Sequence, residues 1–126
     1  MIQANELRLT NLVLNPDDKI CLIKEISQIG TVVVNQLDFW RSDNAFGYST
    51  NEIKPIPLTE EILLKCGFTN TGGYISFYNG DFGLIWNEDH ISLQVEGQWL
   101  TLKVKSLHQL QNLYFALTQT ELTINL

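Results

Sequence analysis

The chain has 126 residues, 44% of them hydrophobic and 17% charged, with a formal net charge of −6. That is one domain's length, apolar enough to bury a core without staples and too apolar for intrinsic disorder. Eight basic residues spread along an acidic chain form no patch, which argues against binding duplex DNA or RNA by neutralising phosphates. A small anionic ligand needs only two or three well-placed cations, so that class stays open.

From the N-terminus, LRLTNLVL (7–14) is rich in branched residues and stops at the turn signal Asn15-Pro16-Asp17-Asp18. KICLIKEI (19–26) reads as a second strand and Gly30 as the next turn. TVVVNQ (31–36) reads as a third, because three consecutive valines favour sheet over helix. Three short strands with tight turns suggest a small meander or a partly closed, SH3-like barrel. Residues 37–52 form a polar stretch carrying Phe39, Trp40, Phe46 and Tyr48, read as a long loop or a hidden strand.

Pro55-Ile56-Pro57-Leu58 is an extended connector. Thr59 has the character of an N-cap, Glu60 and Glu61 suit the positive end of a helix dipole, and Gly67 suits a stop. A short helix is expected over 59–66. Residues 74–78 and 82–87 flank Asn79-Gly80-Asp81, a hairpin signal. HISLQVE (90–96) and WLTLKVK (99–105) alternate cleanly, completing a four-stranded antiparallel meander. Ser106 and Gln109 fit a capping box opening a helix to Thr118, with Leu107, Leu110, Leu113, Tyr114 and Leu117 on its apolar side. The tail ELTINL is expected to add an edge strand. The expected fold class is α+β, a single domain over 1–126. Its β-rich half spans 1–54 and its α-β-β-β-β-α half 55–126.

Alternation places Ile75, Phe77, Ile91, Leu93, Val95, Leu100, Leu102 and Val104 on the core face of the meander. The opposite face receives Tyr74, Ser76, Tyr78, His90, Ser92, Gln94, Glu96, Trp99, Thr101, Lys103 and Lys105. Aromatic planes stack on bases, and ammonium groups pair with phosphate. Trp99, Lys103 and Lys105 therefore form one candidate ligand-binding set; Trp40, Arg41 and Tyr48 in the aromatic loop form another. The structural alternative is that the aromatics plug the space between the two halves.

Other chemistry has little support. Glu88-Asp89-His90 are adjacent, and neighbours in a strand point apart, so a metal site is not expected. No HExxH, GxSxG or GxxxxGK[ST] motif occurs, and Gly72-Gly73 precedes a strand rather than a helix. His108 is expected at the surface without an acidic partner. Cys66, at a helix end, lacks the field that activates a thiol. Cys21 and Cys66 are expected to be reduced. No catalytic residue, metal or cofactor is assigned, and no enzyme is expected. No signal peptide or membrane span is read, so a cytoplasmic protein is expected.

Three blocks stand out in chain order: the opening Glu6-Leu7-Arg8-Leu9-Thr10-Asn11, PIPLTEEILLKCGF (55–68), and LHQLQNLYFALT (107–118) with Glu121-Leu122-Thr123. Together they resemble a family of small proteins encoded by phages, prophages and mobile elements of gut anaerobes. The blocks cover about a third of the chain. At position 10 the family more often carries Gly, where this chain has Thr. The resemblance implies a non-enzymatic, homo-oligomeric binding protein in the cytoplasm of the bacterial host. One form is an anti-defence sponge that sequesters a small nucleotide-derived signal. The other is an interaction module that binds and inhibits a host or phage protein.

Overall fold

The computed structural model describes Ile2 and residues 6–37, 45–70, 76–79, 82–87, 90–95 and 98–125. The fold is α+β, with two antiparallel sheets and two helices. The first sheet has the order β1 (Leu12–Leu14), β2 (Ile20–Ile26), β3 (Thr31–Gln36), β4 (Ala45–Ser49). The β1–β2 turn forms where Asn15 and Pro16 predict it. The Asn15 side-chain oxygen accepts from the backbone N–H groups of Asp17 and Lys19, each at 2.9 Å. Gly30 turns β2 into β3 with a φ of 83°. After β4 the chain returns to β1, where Leu14 and Lys54 exchange two backbone hydrogen bonds of 2.8 Å. The sheet therefore curls toward closure.

Both sides of β1 and β2 are apolar, and both are used. Val13, Cys21 and Ile23 point inward with Val32, Val34 and Ile53, forming a core completed by Ile2 and Leu7. Leu12, Leu14, Ile20 and Leu22 point the other way into a second core, shared with the helices and the second sheet. LVL and ICLI read as unbroken apolar runs for this reason: these strands form a middle layer.

The connector after residue 54 runs extended against the segment before the last helix. Leu58 N–H donates to the Lys105 carbonyl at 3.0 Å, and Leu107 N–H to the Ile56 carbonyl at 2.8 Å. Helix α1 (Glu60–Lys65) begins at Thr59, whose hydroxyl accepts from Ile62 N–H, and stops at Gly67, with a φ of 86°. The second sheet is a meander: β5 (Thr69–Asn70), β6 (Ser76–Asn79), β7 (Phe82–Asn87), β8 (His90–Val95) and β9 (Gln98–Leu102). Leu84 and Ile91 face the shared core; Ser92 and Thr101, paired across β8 and β9, meet through their hydroxyls on the opposite side. Helix α2 (Leu107–Thr118) opens with the expected Ser106–Gln109 capping box.

Several expectations need correction. The first strand covers only 12–14, because Arg8 to Asn11 are occupied by a turn and side-chain bonds. Of the two readings for residues 37–52, the hidden strand holds, as β4 over 45–49; residues 38–44 lie outside the described ones. The meander has a fifth strand, β5, too short to leave a sequence pattern. The last strand ends at Leu102 rather than 105. The tail forms no strand over 121–125; Leu122 instead packs into the shared core, and Asn125 N–H donates to the Lys65 carbonyl. The buried stripe of α2 is Leu107, His108, Leu110 and Gln111, while Leu117 is 45% exposed. That stripe turns toward the segment ahead of β1, which the amphipathic pattern alone does not show.

The amides of α2 hold that segment. Gln111 accepts from Leu12 N–H at 2.8 Å and donates to the Thr10 carbonyl at 3.2 Å. Asn112 donates to the Glu6 carbonyl at 2.6 Å and accepts from the Asn11 amide at 2.8 Å and Arg8 Nε at 2.9 Å. Arg8 also lies 4.5 Å from the Phe115 ring centroid and pairs with Glu121 at 2.7 Å. Thr10 sits at φ 72°, where glycine is favoured. Gln111→Leu keeps the volume and removes both bonds. The exposed Thr10 backbone can turn to water, but the Leu12 N–H cannot. The expected loss is about 2 kcal/mol, the cost of a buried unsatisfied donor, read from the urea midpoint; an unchanged midpoint contradicts this role.

Candidate functional site

The candidate residues divide unevenly. Trp40 and Arg41 lie outside the described residues. Trp99 is in β9 with its backbone paired to Gln94, and its side chain lies outside the described part. Tyr48 is half-buried and packs on the first core. Lys103 and Lys105 are exposed, continuing the alternation in which Leu102 and Val104 turn inward. Among the described residues neither lysine makes an ion pair. The Glu88–Asp89 pair lies outside the described residues, and among those described no group of His, Cys, Asp and Glu could hold a metal ion.

Lys105 lines a cavity of about 360 Å³ with Ile2, Glu6, Pro55, Pro57, Ser106, His108 and Gln109. Its walls follow from the fold. The prolines come from the extended connector, Ser106 to Gln109 from the capped start of α2, and Glu6 from the segment clamped by Asn112.

His108 is the residue sequence reasoning misplaced. It is 1% exposed, with Nδ1 at 3.1 Å from Ser106 Oγ and Nε2 at 3.4 Å from Glu6 Oε2. Its acidic partner lies 102 positions earlier in sequence, so no local pattern could have revealed it. Burial pushes the imidazole pKa below its ordinary 6.5, against an upward pull from Glu6. A neutral ring beside a carboxylate places its proton on Nε2, toward Glu6. Nδ1 then accepts the Ser106 hydroxyl proton. This series resembles an activated serine in connectivity. However, Ser106 is 4% exposed and its oxygen belongs to the helix cap, so the arrangement fixes the cavity wall. Burial pushes the Cys66 thiol up to about 12, which leaves it un-ionised and inert.

A second, more apolar cavity of about 310 Å³ is lined by Thr10, Leu12, Leu22, Leu37, Gln111, Glu121, Leu122 and Ile124. Among the described residues no helix is long and apolar enough to cross a membrane. No protein-family model, curated protein or solved structure matches the chain.

The pH dependence follows from His108. Its folded pKa lies below the unfolded value, so below about pH 6.5 the unfolded chain binds more protons. The stability it contributes is fully present above that value and is lost as pH falls toward the folded pKa. Urea midpoints measured from about pH 8 to about pH 5 should fall more in the wild type than in His108→Gln, which cannot titrate. Equal slopes would contradict the assignment.

Proposed function

We propose that this chain is a non-enzymatic binding protein of the phage and mobile-element type, which sequesters a small anionic, nucleotide-like ligand in the host cytoplasm. The observation that carries this reading is Lys105, which makes no ion pair among the described residues, lining a cavity of about 360 Å³ whose other walls are partly apolar. That volume lies within the usual range for small-molecule sites, and such sites combine apolar walls with a few convergent polar groups. Lys103, two residues away and also exposed, adds a second cation for a phosphate. Trp99 supplies a stacking surface in the same reading, and assembly as a homo-oligomer brings further walls to the ligand.

A second reading is an inhibitory protein–protein interaction module. It is favoured by the second cavity, where the exposed Leu37 stands beside Leu122 and Ile124. Calorimetry separates the two. AMP, GMP, their 3′,5′-cyclic forms and cyclic dinucleotides are titrated into the protein. At least one is expected to bind with a Kd near or below about 10 μM. If none binds, the ligand reading fails. A stoichiometric host protein retained from lysate would then favour the interaction module.

A further inference from the structure

The two edges of the first sheet differ. At β1 the outward backbone groups are used: Leu14 exchanges both of its own with Lys54, and Leu12 N–H donates to the Gln111 side chain. At β4 the ladder to β3 fixes which groups face outward. Thr50 N–H donates to the Gly30 carbonyl at 2.9 Å, so the alternate residues Tyr48 and Phe46, opposite Val32 and Val34, bond toward β3. The N–H and carbonyl groups of Ala45, Gly47 and Ser49 therefore point away from β3. Ser49 N–H is taken by the Glu52 carboxylate at 3.0 Å. Ala45 and Gly47 are exposed, and among the described residues neither makes a hydrogen bond on that side. Open edges are usually blunted by lysine, proline or a bulge; Ala45-Phe46-Gly47-Tyr48-Ser49 carries none of these. Phe46 and Tyr48 share a face with the buried Val32 and Val34, yet Phe46 is 44% exposed, so the apolar face runs out to the open edge.

This edge is complementary to itself. A two-fold axis at Gly47 sets the two Gly47 residues against each other as a hydrogen-bonded pair, and Ala45 against Ser49 of the second copy. The Ser49 carbonyl accepts from Ala45 N–H there, so the Glu52 contact stays intact. The same register puts Phe46 opposite Tyr48 of the second copy, and Tyr48 opposite its Phe46. Both are pairs of the closer, non-hydrogen-bonded kind, in which cross-strand aromatics stabilise each other. A side chain at Gly47 would meet nothing within 4 Å, which leaves that side open to the approach. We propose that two copies of this chain pair antiparallel through β4, joining their first sheets into one. Because the β1 edge is already used, head-to-tail addition is blocked and assembly stops at the dimer. This step deepens the homo-oligomeric part of the proposed function and rests on it, but not on the ligand.

Sedimentation equilibrium of the full chain tests it. Between about 5 and about 500 μM, a range suited to a small interface, the wild type is expected to move to twice the chain mass. Gly47→Pro removes only an outward N–H and keeps the ladder to β3. Phe46→Lys puts a charge on a side chain that is already exposed. Each should weaken the dimer at least about tenfold. Leu64→Lys, equally exposed but on α1, should leave it unchanged. Hydrogen exchange of the wild-type Gly47 amide needs no variant and should slow as protein concentration rises. A wild type that stays monomeric, or assemblies larger than a dimer, overturn the inference. So do a dimer indifferent to both β4 variants or lost in Leu64→Lys, and Gly47 exchange independent of concentration. A monomer that binds a nucleotide leaves the ligand reading standing; a β4 dimer that binds none leaves this inference standing and that reading overturned.

Discussion

The side-chain amides of Gln111 and Asn112 tie the segment ahead of β1 to α2. Every group in this clamp has a partner with matching donor and acceptor character: Leu12 N–H, the Thr10 and Glu6 carbonyls, the Asn11 amide and Arg8 Nε. The clamp sits at the junction of the two cores. Leu7 on one side belongs to the core of the first sheet, and Leu12 on the other belongs to the core shared with the helices. Nonpolar packing favours burial but does not select a register. Buried amides do, because a shift of one residue would strand several of them at a cost of about 1–3 kcal/mol each.

The cavity inherits its shape from the same clamp. Glu6 reaches His108 because Asn112, one helical turn further along α2, holds the Glu6 carbonyl. The opposite wall comes from Pro55 and Pro57, fixed by backbone bonds between Ile56 and Leu107 and between Leu58 and Lys105. Segments distant in sequence thus meet at the first turn of α2. Their meeting gives each a structural task, whatever ligand the cavity takes.

The parts of this fold legible in sequence were those encoded locally. Thr59 and Gly67 bound α1, Ser106 and Gln109 open α2, and Asn15-Pro16 turns β1 into β2, each through bonds spanning a few residues. The valine run located β3, the Asn79-Gly80 signal β6 and β7, and alternation β8 and β9. What escaped depends on distant partners. Arg8 to Asn11 has strand-like composition, yet a turn, the positive φ of Thr10 and partners on α2, about 100 positions later, interrupt its pairing, leaving two backbone bonds to Ile23. His108 reads as a surface residue because its carboxylate lies at the other end of the chain. For the cavity, Lys105 was legible from alternation alone, while Glu6 and His108 needed the tertiary fold.

If the clamp unites the two sheets, the molecule unfolds as one cooperative unit. Native-state hydrogen exchange tests this most directly. The informative amides are Leu12, bonded to Gln111; Ile23, bonded to the Asn11 carbonyl in the first sheet; and Leu110, bonded to the Ser106 carbonyl in α2. The account predicts that all three exchange through one global opening, with the same free energy and the same dependence on urea. Exchange of Ile23 through a separate opening of lower energy, while Leu110 stays protected, would contradict it.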